Sequence, residues 1–220
     1  MNYYFFGYRD WSLSVFSSLK SLFPNLSLHH CKDSSRISSS DFNPHTDIFI
    51  FVGWSDLVPS EFVSRFQCFC IHPSPLPLYR GGSPIQNQII GGEHTSAVTL
   101  FKMDSGCDTG PIFLSYQISL EGFLDEVLDR ISSASTCLIT SLIFKFQSSS
   151  PVTLIPQDDA ISTFCKRRSP SDSIVSLSDF SHMSSVQVFN HIRCLQPPYP
   201  PFQIQYPDGS VLTLLKATLS

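Results

Sequence analysis

The chain has 220 residues, of which 42% are hydrophobic and 15% charged, and its formal net charge is −4 at pH 7. This length suits one domain with a small addition. The acidic balance excludes the broad basic face with which many proteins bind a nucleic-acid backbone, so we expect no DNA partner. The longest basic run is Lys166–Arg168, which we interpret as a solvated edge.

Localisation and metal content are predicted from what the sequence lacks. The amino terminus has no basic segment followed by an apolar stretch and a cleavage site, and no uninterrupted apolar run approaches the ~18 residues that span a bilayer. The seven cysteines are scattered without a C-x-x-C spacing, which favours reduced thiols. We expect a cytoplasmic protein with no membrane partner and no metal.

The first half of the chain alternates predicted strands and helices. A helix begins at Asp10, a suitable N-cap residue, and the serine-rich segment from Lys32 to Thr46 is predicted as a loop. Four buried strands are predicted at Asn2–Gly7, Leu26–Cys31, Asp47–Gly53 and Cys68–Ile71. This alternation indicates a Rossmann-like α/β fold with a mostly parallel sheet flanked by helices. The chain has no G-x-G-x-x-G fingerprint, so a dinucleotide site is not expected.

The second half begins with a predicted helix that Ser83 caps and Pro84 starts. Strands follow at Thr95–Met103 and Ile112–Ile118, and a long helix is predicted over Leu124–Phe146. We predict a catalytic domain over 1–164, a polar linker over 165–182 and a small α+β appendage over 183–220. The appendage is expected to hold a helix over Ser185–Leu195 and a hairpin that turns at 207–210.

Two segments that lie apart in the sequence carry residues able to take part in catalysis. His72 leaves an apolar strand and enters a proline-rich loop that contains Ser74, Leu76 and Pro77. About thirty residues later, Asp104, Gly106 and Asp108 lie in a glycine-rich turn between two strands. A histidine titrates near neutral pH, and a nearby carboxylate stabilises its charged form, so His72 and Asp108 form a candidate acid–base pair.

These segments resemble the folate-dependent formyltransferase family. The family pattern is Asn-x-His, a Ser-x-Leu-Pro loop, Arg-Gly, and later Asp-x-Gly-x-Asp-x-Gly. Here it reads Cys70-Ile71-His72, Ser74-Pro75-Leu76-Pro77, Arg80-Gly81 and Asp104 to Gly110, with order and spacing matching from about Asp47 to Ile112. The family includes methionyl-tRNA formyltransferase, glycinamide ribonucleotide formyltransferase and amino-sugar N-formyltransferases. The stretch Lys166–Asp172 resembles a link found in the sugar-directed members.

The resemblance implies transfer of a formyl group from 10-formyltetrahydrofolate to a primary amine. It places His72, Asp108 and Cys70 at the catalytic positions. It also implies that Ser74, Leu76, Pro77, Asp104, Gly106 and Asp108 line the folate pocket.

Position 70 departs from the family pattern, because the family asparagine is Cys70 here. The resemblance implies that the asparagine donates an amide N–H to the formyl oxygen, and a thiol is a much weaker donor. Three outcomes follow. Another donor such as Gln86 or Asn87 replaces it, a protonated His72 does the work, or the protein is a folate-binding protein of low or no activity.

The identity of the amine acceptor is an expectation from charge and chain length. A tRNA-directed member is expected to carry a larger carboxyl-terminal domain and a basic surface. The acidic charge favours a nucleotide-linked amino sugar over tRNA, with Tyr199 and Phe202 as a platform for base stacking. The partners expected are therefore a small-molecule substrate and, as an open alternative, a second copy in a homodimer.

Overall fold

The computed structural model describes residues 1–38 and 41–219. Its central sheet has six strands in the order β2-β1-β3-β4-β6-β7, where β1 is Asn2–Phe6, β2 Leu28–Cys31, β3 Asp47–Val52, β4 Gln67–His72, β6 Thr95–Lys102 and β7 Ile112–Ser119. Strands β2, β1, β3 and β4 run parallel, whereas β4–β6 and β6–β7 pair antiparallel. The predicted α/β fold and its four parallel strands are confirmed.

The alternation of side chains along these strands divides the core into two layers. Because successive residues of a strand face opposite sides, Tyr3 and Phe5 pack on one face of the sheet and Tyr4 and Phe6 on the other. The second face carries an aromatic cluster of Tyr4, Phe6, Phe42, Phe49, Phe51, Phe62 and Phe66, joined by Cys68. Cys70 packs against this cluster, so close packing with aromatic side chains restricts the position of its side chain.

Helices cover the first face and flank the second. They are α1 Asp10–Leu22, α2 Ser60–Arg65, α3 Pro84–Ile90 and α4 Leu124–Gln147. The predicted N-cap of α1 is wrong by one residue: Arg9 occupies that position, and Asp10 lies in the first helical turn, where its negative charge suits the helix dipole. Ser83 is the N-cap residue of α3 as predicted, but its hydroxyl accepts from the backbone N–H of Arg168 instead of capping the helix. The sequence analysis missed α2.

Helix α4 is a core helix. By length and composition it could cross a membrane, since an 18-residue window has a mean hydropathy of 1.3. Ten of its 24 residues are buried, and it packs against α1, β6 and β7. Burial in the protein core therefore accounts for its apolar stripe.

Two segments predicted as irregular contain regular structure. A 3₁₀ helix at Ser34–Ser38 lies in the predicted loop over Lys32–Thr46, of which residues 39 and 40 fall outside the described residues. The predicted linker over 165–182 contains strand β9 (Ile174–Ser176) and helix α5 (Leu177–Phe180), and it begins in strand β8 (Phe164–Cys165). β8 pairs in parallel with β5 (Arg80–Gly81), next to the His72 loop.

A second sheet lies at the carboxyl-terminal end. Helix α6 (Ser185–Cys194) and the hairpin of β10 (Phe202–Gln205) and β11 (Val211–Leu214) confirm the helix and hairpin expected there. Strand β9 adds to β10 in parallel, so the predicted linker supplies the third strand of this sheet. Phe202 is fully buried and cannot serve as the predicted stacking platform without leaving the core. The domain boundaries themselves stay a prediction.

Candidate active site

His72 is the last residue of β4 and is held by the loop that follows it. Its side chain is 7% exposed, and Nε2 lies 2.8 Å from the carbonyl oxygen of Tyr79. A carbonyl oxygen only accepts, so Nε2 carries a proton and donates it. Nδ1, on the side of Asp108, is therefore the ring atom that gains or loses a proton. The backbone carbonyl of Tyr79 therefore fixes the orientation of the ring.

Asp108 lies opposite His72. Its Oδ2 is 3.5 Å from Nδ1 of His72 and 2.8 Å from the backbone N–H of Gly81, which donates to it. The Asp108 side chain is 16% exposed, so the pair opens towards solvent on one side. When His72 is doubly protonated, the ring can donate to both Tyr79 and the carboxylate. The arrangement can accept a proton at Nδ1 and stabilise the positive charge that results.

The strand register alone does not bring the two side chains together. Strand β6 runs antiparallel to β4, so its end lies beside the start of β4 and far from His72. Met103, the residue after β6, accordingly donates its N–H to the carbonyl oxygen of Cys68. The turn after β6 must fold back along the face of the sheet for Asp108 to reach His72. Asp108 adopts the left-handed backbone conformation with a φ of 57°.

The segment over 155–165 holds this arrangement from outside. Gln157 donates to the carbonyl oxygens of Asp108 and Gly110 at 2.9 and 2.7 Å. Thr163 accepts the N–H of Tyr79 at 2.8 Å, next to the carbonyl that binds His72. The same segment therefore contacts both halves of the pair. The sequence analysis missed these residues, and only a match of the family pattern beyond Ile112 would have drawn attention to them.

Cys70 lies two residues before His72 on β4, so its side chain projects from the same face of the sheet. Burial, with smaller contributions from Asp108 and Cys107, raises the pKa of the Cys70 thiol well above its usual range. The thiol therefore stays neutral, and its sulfur lies 3.6 Å from the carbonyl oxygen of Ile71. A neutral thiol in this position is a weak donor towards a ligand.

The comparisons with known proteins agree with this geometry. The formyl transferase family model matches residues 35–135. The methionyl-tRNA formyltransferase of Rhizobium meliloti (strain 1021) is 31% identical over 179 residues, which cover 79% of this chain and 55% of that protein. The chain spans about half the length of the curated relatives it matches. The chain belongs to the formyltransferase family.

Solved structures show that the fold is that of other formyltransferases. A methionyl-tRNA formyltransferase from Clostridium thermocellum aligns with a TM-score of 0.80 at 23% identity, covering 97% of this chain and 96% of that chain. A sugar N-formyltransferase from Shewanella sp. FDAARGOS_354 aligns with a TM-score of 0.75 at 16% identity, covering 100% and 99%. Proteins named for two different acceptors therefore share this fold.

The residues predicted from the formyltransferase loop differ in accessibility. Ser74 is fully buried, and its hydroxyl donates to the carbonyl oxygen of Leu78 at 2.8 Å. Leu76 is also buried, whereas Pro77 is half-buried. A ligand in this loop would therefore meet Pro77 and the backbone more readily than the Ser74 hydroxyl. Their role in folate binding stays a prediction.

The glycine-rich turn is built from its own side chains. Asp104 is exposed, and its Oδ1 accepts from the N–H of Gly106 at 3.0 Å and from the hydroxyl of Thr109 at 2.6 Å. A Cβ at Gly106 would collide with Thr109, which explains the glycine. Asp104 and Gly106 thus shape the turn that presents Asp108, and the structure brings neither of them into contact with His72.

The two donors suggested as replacements for the family asparagine behave differently. The Asn87 amide donates to the carbonyl oxygens of Gly82, Ser83 and Lys166, so it is already engaged. The Gln86 side chain is buried, and within the described part of the chain its Nε2 has no hydrogen-bond partner. Of the two, only Gln86 retains an unused donor.

Lys166 and Arg167 are exposed, as expected of a solvated edge, while the backbone of this basic run lies against the strand that follows the His72 loop. The Arg167 backbone packs directly on Gly82, and its guanidinium donates to the carbonyl oxygen of Ser55 at 3.0 Å. Across residues 1–38 and 41–219, no group of three or more histidine, cysteine or acidic side chains is arranged to hold a metal.

Proposed function

We propose that this chain is an N-formyltransferase that moves a formyl group from 10-formyltetrahydrofolate to a primary amine. The observation that carries the proposal is the 3.5 Å approach of His72 to the partly exposed Asp108, with the two residues drawn from the separated halves of the family motif. Membership of the formyltransferase family supports the same reaction.

The reaction needs a proton to move. The amine nitrogen attacks the formyl carbon and bonds to it, the bond from that carbon to N10 of the folate breaks, the amine loses one proton and N10 gains one. His72 is suited to take the proton at Nδ1, because Nε2 is committed to the Tyr79 carbonyl. Asp108 then stabilises the imidazolium as it forms.

Cys70 supports a second candidate function. The neutral thiol replaces the amide donor that the family motif supplies, and loss of one such donor costs roughly 10²–10³ in rate. A protein that binds folate and transfers formyl groups slowly or not at all is the corresponding alternative.

For the acceptor we favour a nucleotide-linked amino sugar. The net charge of −4 suits a small anionic substrate better than a long nucleic-acid backbone. Arg167 beside the site offers local positive charge for one or two phosphate groups. The sugar N-formyltransferase of Shewanella shares the fold over its whole length.

Methionyl-tRNA is the competing acceptor. The curated relatives from Rhizobium meliloti and Campylobacter curvus are both methionyl-tRNA formyltransferases, at 31% and 32% identity. Their names give this acceptor a support that is independent of the fold.

A parallel transfer assay tests both acceptors. The purified chain is incubated with 10-formyltetrahydrofolate at physiological salt and either a set of nucleotide-linked amino sugars or methionyl-tRNA, and formylated product is measured. We expect product with an amino sugar and little with tRNA. Product only with methionyl-tRNA would reverse the acceptor assignment, while folate binding without any product would favour the binding-protein alternative.

A further inference from the structure

Resting on the transfer reaction proposed above, we propose that Gln157 is a positioning residue for Asp108 and, through Asp108, for His72. Gln157 lies far from both residues in sequence and belongs to neither half of the family motif. Its side chain is nevertheless the link between the Asp108 turn and the buried interior of the site.

The carboxamide of Gln157 uses both of its ends. Nε2 donates to the carbonyl oxygens of Asp108 and Gly110, and Oε1 accepts from Nε and Nη2 of Arg80 at 3.1 and 2.9 Å. A guanidinium only donates and a carbonyl only accepts, so a single orientation of the amide satisfies all four contacts. Only an amide fits this place, because it combines a donor end and an acceptor end on one short side chain.

The buried Arg80 side chain holds Gln157 in place. The Arg80 side chain is 2% exposed and lies over the ring of Phe164 at 5.6 Å. Its other partner, Asp159, is 80% exposed, so solvent screens that ion pair. The hydrogen bonds from the buried Arg80 are therefore the contacts that fix the Gln157 side chain relative to the protein interior.

Asp108 requires support from outside its turn. Its left-handed conformation costs a non-glycine residue free energy, and the contacts of Asp104 with Gly106 and Thr109 lie within the turn. Those internal contacts shape the turn but do not set its position relative to His72. Gly81 holds the Asp108 carboxylate, and Gln157 holds the backbone carbonyl of Asp108 and that of Gly110, two residues later.

The decisive variant is Gln157→Glu. Glutamate keeps the size of the side chain and its contacts with Arg80, but it places an acceptor oxygen against two carbonyl oxygens. We expect kcat to fall about tenfold or more, with a melting temperature close to that of the wild type because the pair with Arg80 is retained. Gln157→Met removes both donors without adding charge and is expected to reduce kcat similarly, so the test stands if the glutamate variant fails to fold.

Asp159→Asn is the matched control. It alters a different partner of Arg80 and leaves the amide contacts of Gln157 intact. We expect kcat and the melting temperature to stay at wild-type values. A fall in kcat equal to that of Gln157→Glu would indicate that Arg80 acts without Gln157 and would overturn the inference.

A double-mutant cycle tests whether Gln157 acts through Asp108. In an Asp108→Asn background, Gln157→Glu is expected to lower kcat by less than twofold, because the carboxylate that it positions is gone. If the two fold-changes multiply, Gln157 supports the reaction independently of Asp108 and the inference is wrong.

A readout without turnover separates this inference from the proposed function. The His72 ring is followed by NMR across a pH titration in the wild type, Gln157→Met and Asp108→Asn, because methionine adds no charge beside the pair. The charged group paired with His72 is Asp108, and the Cys70 and Cys107 thiols beside it stay neutral because burial raises their pKa. We expect both variants to move the His72 titration in the same direction, since each weakens the contact of the ring with the carboxylate. An unchanged titration in folded Gln157→Met would overturn the inference, whereas a changed titration without formyl transfer would contradict the proposed function alone.

Discussion

The two halves of the candidate pair are positioned by different means. His72 ends a strand in the middle of a sheet, with β3 paired on one side and β6 on the other. Asp108 lies in a turn that leaves the sheet, and long-range hydrogen bonds from Gly81 and Gln157 hold it. The position of His72 therefore depends on many contacts along a paired strand, whereas a few hydrogen bonds fix the position of Asp108.

This difference predicts where the site is vulnerable. A substitution near His72 must disturb a packed sheet before it moves the ring, because β4 is paired along its length. A substitution near Asp108 needs to remove only one or two hydrogen bonds to change the distance of 3.5 Å. The rate of transfer is therefore expected to be most sensitive to substitution of His72 itself. The distance between the two side chains is expected to be most sensitive to substitution of the residues that hold Asp108.

The largest effect is expected from His72→Gln. The amide can still donate to the Tyr79 carbonyl, but it cannot take a proton at the position of Nδ1, so formyl transfer should fall roughly 10²–10⁴-fold. The measurement is kcat with saturating donor and acceptor, and the exposed His182→Gln serves as the control. Transfer that persists at the wild-type rate would remove His72 from the reaction.

A large opposite effect is expected from Cys70→Asn on the same strand. The substitution places an amide donor at the family position and should raise the transfer rate roughly 10–10²-fold if the formyl oxygen lacks a donor. Rates of the variant and the wild type are compared at saturating substrate. An unchanged or lower rate would show that another group, such as Gln86, already supplies the donor.

Asp108→Asn tests the half that is held by the turn. The amide oxygen still accepts from Gly81, but the charge that stabilises the imidazolium is lost, which should slow transfer roughly 10–10²-fold. The same substitution should leave the affinity for folate nearly unchanged if Asp108 acts on the proton alone. A weaker binding isotherm with an unchanged kcat would instead make Asp108 a folate-binding residue.

A smaller effect than that of the three substitutions at His72, Cys70 and Asp108 is expected from Gly81→Ala. Gly81 has a φ of 95°, and an added Cβ would lie 2.6 Å from the carbonyl oxygen of Cys165, so both the backbone and the β5–β8 pairing resist the change. We expect a melting temperature lower by roughly 2–8 °C and a few-fold slower transfer, because the N–H of Gly81 holds Asp108.

Gly92→Ala provides the comparison for that variant. Gly92 has a φ of 89°, but nothing lies within 4 Å of an added Cβ, so only the backbone strain remains. Its melting temperature should fall less, and its transfer rate should match the wild type. Equal slowing in the two variants would show that Gly81 has no particular influence on Asp108.

Much of the fold could be predicted because its signals are local. The runs predicted as strands at Asp47–Gly53 and Cys68–Ile71 are continuous and largely apolar, and each lies in a strand of the parallel sheet. The segment over 165–182 was predicted as a linker because it is polar and contains Pro170. Its strands β8 and β9 form through pairing with Arg80–Gly81 and Phe202–Gln205, partners that local composition does not reveal.

The candidate site divides in the same way. By itself, the sequence determined the formyltransferase family and the two motif residues, His72 and Asp108, because residue type and spacing persist along the chain. Only the tertiary structure decided that the Tyr79 carbonyl fixes the histidine ring and that Asp108 faces Nδ1. It also decided that Gln157 bonds both to Arg80 and to the turn that carries Asp108. Hydrogen bonds depend on distance and direction in space, and residues far apart in the chain acquire both only when the sheet and the 155–165 segment come together.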